Sequence, residues 1–244
     1  MVWTMELTPD LEQRRTVGGV TGARWFEGHR LDLFVESSEG AGPAAVMLSI
    51  VAEPAVARVS FVGVVLRAGF APVVVADDDV PLPDRGWEVR TSGLWADHVC
   101  ETPLEHWSYG LEAFGLSLDD PEALLGRGFG ERTPIGWELE FEAASTAQWS
   151  STPLSTTPWS TAEEYRQLGV GHGLVLDGDG QHAVEGVAIR THWWGSRSPG
   201  RLEVGDVPPS GSDEPLSWVS VPSREARRCY ALWGAGASSS PIDS

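Results

Sequence analysis

Apolar and polar side chains alternate along most of this chain with a period of two. In the segment 135–143, Ile135, Trp137, Leu139 and Phe141 point to one side and Glu138, Glu140 and Glu142 to the other. That is the pattern of a strand with one face on a core and the other in water. Further runs of strand type cover 29–36, 45–52, 56–67, 86–99, 106–114, 172–178 and 182–194, about eight to eleven strands in total. The run Asp177-Gly178-Asp179-Gly180 reads as a hairpin turn between two of them.

Helical signals are sparse. Asp120 followed by Pro121 opens a turn or two that ends at Gly126. Thr161 with Glu164 fits a capping box, although Tyr165 and the glycines that follow suit a strand equally well. Residues 145–161 are rich in Ser, Thr and Pro and read as a linker, and 235–244 as a disordered tail. The expected organisation is an N-terminal β-half over 1–144, the linker, and a C-terminal β-half over 162–234. So much strand with so little helix favours an all-β barrel or sandwich over a parallel α/β fold. Twelve tryptophans tilt the choice toward a closed barrel whose aromatic interior holds an apolar ligand.

Charge and composition remove several function classes. A net charge of −18 with 17 basic residues spread thinly argues against nucleic acid, which requires clustered cations. All the basic residues are arginine, and the chain has neither lysine nor asparagine, so Schiff-base, pyridoxal-phosphate and Walker-type phosphate-loop chemistry are excluded. Cys100 and Cys229 are too few for a disulfide framework and read as core residues in a reducing compartment. The first fifteen residues carry acids where a signal peptide has a basic region. The apolar stretch 44–75 is interrupted by Glu53, Pro54, Arg58 and Arg67, so no membrane span is expected and the protein is expected in the cytoplasm.

Most familiar motifs fail on inspection. The run DGDGQH begins like a calcium loop but has His182 where glycine is required and Ala188 at the twelfth position. GVGHG lacks the strand and helix of a dinucleotide fingerprint, and Asp77, Asp78 and Asp79 read as a solvated turn at a strand end. His98 and Cys100 share a strand face, yet no second pair has zinc spacing, so no metal or other cofactor is expected. Two clusters remain. Between Leu94 and Phe114, Asp97, His98, Glu101, Glu105, His106 and Glu112 lie among Trp95, Trp107 and Tyr109. Between His182 and Arg197, Arg190 and His192 share a face with small residues and run into Trp193 and Trp194.

The second cluster resembles the lipocalin-like family around hydroxyneurosporene synthase, a carotenoid hydratase, and its AttH-type relatives. Tyr165, Gln167 and Gly169 match a Tyr-x-Gln-x-Gly segment of that family. Gly186, Arg190, His192, Trp194, Gly195 and Arg197 match its Gly-x-Gly-x-Arg-Asp-His-x-Trp-Gly-x-Arg signature. The segment from Pro103 to Ala143 is similar to its middle strands, so the likeness covers about 100 residues, with the first 100 matching in strand pattern only. Two positions differ: Thr191 stands where the family has an aspartate, and Ala188 where it has a second glycine. The resemblance implies a lipocalin-like antiparallel barrel of two β-halves, the second incomplete here, and an apolar, often isoprenoid, ligand.

The expected function is therefore an enzyme that protonates an alkene of an isoprenoid or prenylated small molecule, leading to terpene cyclisation or hydration without a metal. Carboxylates among indoles in a dry cavity become Brønsted acids, which makes Asp97, Glu101 and Glu112 the candidate acids. Tryptophan faces stabilise cations, so Trp95, Trp107, Tyr109 and Trp194 are expected against the substrate, with His192 and Arg197 orienting the acid or a water. The rival readings are a noncatalytic binder of a hydrophobic metabolite and a structural, self-associating β-protein; a homodimer is compatible with either.

Overall fold

Strands form where the period-two pattern predicts them, and two of them form without alternation. The segments 45–52 and 59–66 are nearly continuous in Val, Leu, Ile, Ala, Met and Phe, the composition of strands buried on both faces. The computed structural model describes residues 7–14, 24–36, 42–67, 70–118, 130–149 and 163–197, with the backbone alone of 203–207, 216–222 and 228–233. The strands are β1 Arg24–Val35, β2 Pro43–Glu53, β3 Arg58–Arg67, β4 Val73–Pro81, β5 Val89–Thr91, β6 Leu94–Thr102, β7 His106–Ser117, β8 Glu131–Ala143, β9 Gln148–Trp149, β10 Glu163–Asp177 and β11 Gly180–Arg197. A second, three-stranded sheet holds β12 Glu203–Val207, β13 Leu216–Pro222 and β14 Arg228–Trp233. The only helical elements among the described residues are two short 3-10 turns, Pro9–Glu12 and Pro54–Val56.

The main sheet is antiparallel and runs β4-β3-β2-β1-β11-β10-β8-β7-β6-β5, with β9 added on β10. Pairing of Val73 and Val74 in β4 with Ser117 and Leu116 in β7 returns one end strand to the far side of the sheet, so the sheet curls into a ring. The fold is barrel-like and all-β. Strands β10 and β11 pair with β8 and β1, so the strands on both sides of residues 145–161 belong to one sheet. No described helix is long and apolar enough to cross a membrane.

The inward faces of β1–β8, β10 and β11 supply one contiguous core that includes Leu31, Leu33, Ile50, Phe61, Trp107, Trp137 and Phe141. A second cluster, with Phe34, Met47, Val62, Val64 and Leu66, occupies the outward face of β1–β4. The backbone of β14 approaches β3 and β4.

Several local expectations are revised. The predicted strand 86–99 is two strands, broken at Gly93, whose φ of +96° makes the tight turn between β5 and β6. The alternative of a helix from Glu164 gives way to β10, which is extended from Glu163 to Asp177. Asp77, Asp78 and Asp79 sit inside β4 rather than in a turn. The register against β3 slips there, and Asp77 Oδ1 accepts the Asp79 backbone N–H at 3.0 Å. The predicted hairpin is present: Asp177 faces Gly180, and Asp177 Oδ1 accepts the Asp179 N–H at 2.9 Å. Cys100 is half-buried against the core rather than fully inside it. The predicted helix at 120–126, the tail 235–244 and the side chain of Cys229 lie outside the described residues.

Candidate active site

Alternation along β1 sends Glu27, His29, Leu31 and Leu33 to one face, and cross-strand pairing aligns them with Trp194, His192, Arg190 and Ala188 of β11. This face is the barrel interior, so two polar positions on each strand project into a mostly apolar core. Glu27, His29, Arg190 and His192 are 1%, 0%, 0% and 0% exposed. Groups this deep are tolerated only when paired, and most of them are.

His192 is the centre of one network. Its Nε2 lies 2.9 Å from Glu27 Oε1 and its Nδ1 lies 3.0 Å from the Tyr165 hydroxyl. A carboxylate only accepts, so Nε2 carries the proton and Nδ1 accepts from the tyrosine. Burial lowers the His192 pKa and the Glu27 carboxylate raises it, with burial prevailing, so the ring is neutral at pH 7. Burial also drives the Tyr165 phenol well above its ordinary value.

Arg190 organises the second network. It makes a two-pronged pair with Glu12, at 2.8 and 2.6 Å, and donates to Gln167 Oε1 at 3.0 Å. Gln167 in turn donates to the carbonyls of Leu104 and Ser145 at 2.6 and 3.0 Å. Glu12 arrives on the 3-10 turn Pro9–Glu12, whose Leu11 packs with Tyr165 and Trp194.

The two sequence motifs are thus one constellation. Tyr165 is the cross-strand partner of His192, and Gln167 of Arg190, and each pair is joined by a side-chain hydrogen bond. Gly186 is required for a different reason: a Cβ there would lie 1.9 Å from the Phe34 carbonyl oxygen, so any side chain would push β1 off β11. Thr191, at the position of the family's aspartate, points to the opposite face and is buried. An acid nevertheless stands beside His192, supplied by Glu27 from the neighbouring strand.

His29 stacks on His192 with ring centroids 3.9 Å apart. Burial, followed by the neighbouring His192 and Arg190, holds its pKa well below the ordinary value. Glu27, His29 and His192 bring potential ligand atoms within 4.8 Å of one another, a spacing that a divalent cation can bridge. Such an ion bound through those two atoms would require the Glu27–His192 hydrogen bond to be given up, since that bond occupies His192 Nε2 and Glu27 Oε1.

The sequence-derived candidates divide between the two faces. His192, Trp107, Tyr109 and Trp194 are interior and at most 1% exposed, with Trp194 4.9 Å from the His192 ring. Trp95, Asp97, Glu101 and Glu112 alternate onto the outer face of β6 and β7. There the Trp95 indole donates to Glu88 at 3.2 Å, and Glu101 accepts from Ser108 at 2.9 Å. The pKa of Asp97 is raised by partial burial and then by Glu88. This outer face also carries a groove of about 680 Å³ lined by Trp95, Glu112, Phe114, Leu174 and Leu176. The Arg197 side chain is outside the described residues. Glu12, Glu27 and His29 were missed. The signal for the last two was present in the sequence, as polar residues at positions 27 and 29 of an otherwise apolar face that continues through Leu31 and Leu33.

No family model matches the chain, and no curated protein matches it, so the likeness read from 164–197 rests on those motifs alone. Among solved structures, the crystal structure of CghA with Sch210972 is similar at a TM-score of 0.37 and 10% identity, over 86% of this chain and 58% of that one. The chain spans less than two thirds of that protein's length.

Proposed function

We propose that the barrel interior is the reaction chamber for a hydrophobic small molecule of isoprenoid or prenylated type, and that Glu27 with His192 handles the proton that starts its cyclisation or hydration. The observation that carries this reading is the buried chain Glu27–His192–Tyr165, with contacts of 2.9 and 3.0 Å, set among aromatic rings. In the step, the Glu27–His192 pair takes up one proton from solvent and passes it to an alkene carbon, leaving a carbocation on the substrate and a carboxylate on Glu27. The His192 Nε2–H hydrogen-bonds that carboxylate. The faces of Trp107 and Trp87 favour the cation, an interaction worth up to about 2 kcal/mol when desolvated. Loss of a proton back to Glu27 ends a cyclisation, and capture of water with release of a proton ends a hydration. Asp97, Glu101 and Glu112 are on the outer face and become the second choice for the acid.

The test is incubation with polyprenyl and prenylated-aromatic substrates, with product analysis by mass spectrometry. Glu27→Gln is expected to lower turnover by at least about 100-fold, the scale of a lost general acid, with ligand affinity retained. Asp97→Asn, Glu101→Gln and Glu112→Gln are expected to stay within about twofold, because surface groups away from the chamber contribute little. Full activity in Glu27→Gln overturns the assignment. Saturable quenching of tryptophan fluorescence without product from any substrate would favour a noncatalytic binder.

A further inference from the structure

Beside the Glu27–His192 pair runs a band of five aromatic side chains whose polar atoms have no hydrogen-bond partner among the described residues: His29, Trp87, Trp107, Tyr109 and His98. They come from β1, the β4–β5 connection, β7 and β6, yet they touch in succession. The His29 ring is 4.7 Å from Trp87 and 4.8 Å from Trp107, the Trp107 ring is 6.2 Å from Tyr109, and Tyr109 meets His98 edge-on at 5.0 Å. None is more than 4% exposed.

One such group left unpaired in a core costs about 1–3 kcal/mol, and phenylalanine or leucine would fill the same space without that cost. Five in contact mark a surface built for something that completes them. Its chemistry follows from the donor count. Both imidazoles are neutral, His98 with a pKa lowered to about 3 by burial, so each ring offers one N–H. The two indoles offer an N–H each and the phenol an O–H, and donors therefore outnumber acceptors. The nearest cation, Arg190, is already matched by Glu12. A buried carboxylate would find no free counter-charge, whereas a neutral carbonyl oxygen would find donors in excess.

We propose that this band is a polar subsite for neutral carbonyl oxygens, so that the ligand is an apolar molecule carrying ketone, ester or amide groups and not a bare hydrocarbon. This rests on the interior being the ligand chamber, and it narrows the substrate class of that same site.

The test compares three probes with related carbon chains, farnesene, methyl farnesoate and farnesoic acid, by quenching of tryptophan fluorescence in the intact protein. Methyl farnesoate is expected to bind about tenfold or more tighter than farnesene, and farnesoate no tighter than the ester, since unmatched buried donors reject a ligand that lacks the acceptor. Tyr109→Phe and His98→Leu should each erase several-fold of the preference for methyl farnesoate over farnesene. Because they delete orphan polar groups, the ligand-free variants should melt at or above the native temperature. Equal binding of farnesene and methyl farnesoate by the native protein overturns the subsite and leaves the chamber standing. So do variants that melt lower with the preference intact, which would show a purely structural role. Binding of none of the three probes overturns both the subsite and the chamber.

Discussion

Replacing Glu12 by glutamine tests whether the N-terminal segment is an integral wall of the barrel interior. Glu12 and Arg190 are 3% and 0% exposed and share two hydrogen bonds of 2.6 and 2.8 Å. The glutamine amide keeps the shape but can accept only one of those bonds, and it leaves a guanidinium unneutralised in the core. Each charge-assisted bond contributes about 1.5–3 kcal/mol, and breaking a buried pair from one side costs about 3–5 kcal/mol. A loss of about 4 kcal/mol is therefore expected, a drop of roughly 8–16 °C in Tm for a chain of this size. The double variant Glu12→Leu/Arg190→Met removes both charges and fills the space with apolar atoms. It should recover most of the loss, giving a coupling of about 3 kcal/mol or more in a double-mutant cycle read by urea denaturation. A single-variant cost below about 1 kcal/mol, or a double variant as unstable as the sum of the singles, would refute the reasoning. Either result would mean that water reaches the pair and that residues 7–14 do not seal this part of the barrel.

Two further outcomes follow from the same geometry. His98 is neutral in the folded protein because burial lowers its pKa to about 3, whereas in the unfolded chain it protonates near 6.5. Between those values the unfolded state holds the extra proton, so His98 contributes no penalty above pH 6.5 and a growing one as the pH falls toward 3, about 1.4 kcal/mol per pH unit. The stability difference between the native protein and His98→Leu, measured by denaturant melts from pH 7 to 4, should change with that slope; a pH-independent difference would show that the imidazole is solvated. Gly186→Ala should give insoluble or unfolded protein, because its methyl group would meet the Phe34 backbone, whereas Gly110→Ala meets only the half-buried Trp95 ring and should cost far less. Comparable Tm values for the two variants would contradict the close approach of β1 to β11.

The strands were legible because burial on one face imposes a period of two. Segments such as 135–143 announced both their extended conformation and which of their sides is apolar. The departures came where a single residue changed the path: Gly93 split a predicted strand, and a slipped register drew the aspartates 77–79 into β4. The site was half legible. Tyr165, Gln167, Arg190 and His192 stood out in the motifs, and Trp107 and Tyr109 by alternation. Glu27 and His29 lay just outside or at the first residue of the predicted strand 29–36, and Glu12 lay in a segment with no periodicity to read.

Alternation, composition and the two motifs determined by themselves that the chain is all-β, that β7 turns Trp107 and Tyr109 one way and Glu112 the other, and that Tyr-x-Gln and Arg-x-His stand on the two arms of one hairpin. These are local properties, set by side chains two residues apart on one strand. The tertiary structure decided which of the two faces closes around the interior, and which acid meets His192. That acid comes from a strand 165 residues away in sequence, and no local rule specifies the register that pairs β1 with β11. The same closure brings His29, Trp87, His98, Trp107 and Tyr109 into one band, a juxtaposition that exists only once the ring of strands has formed.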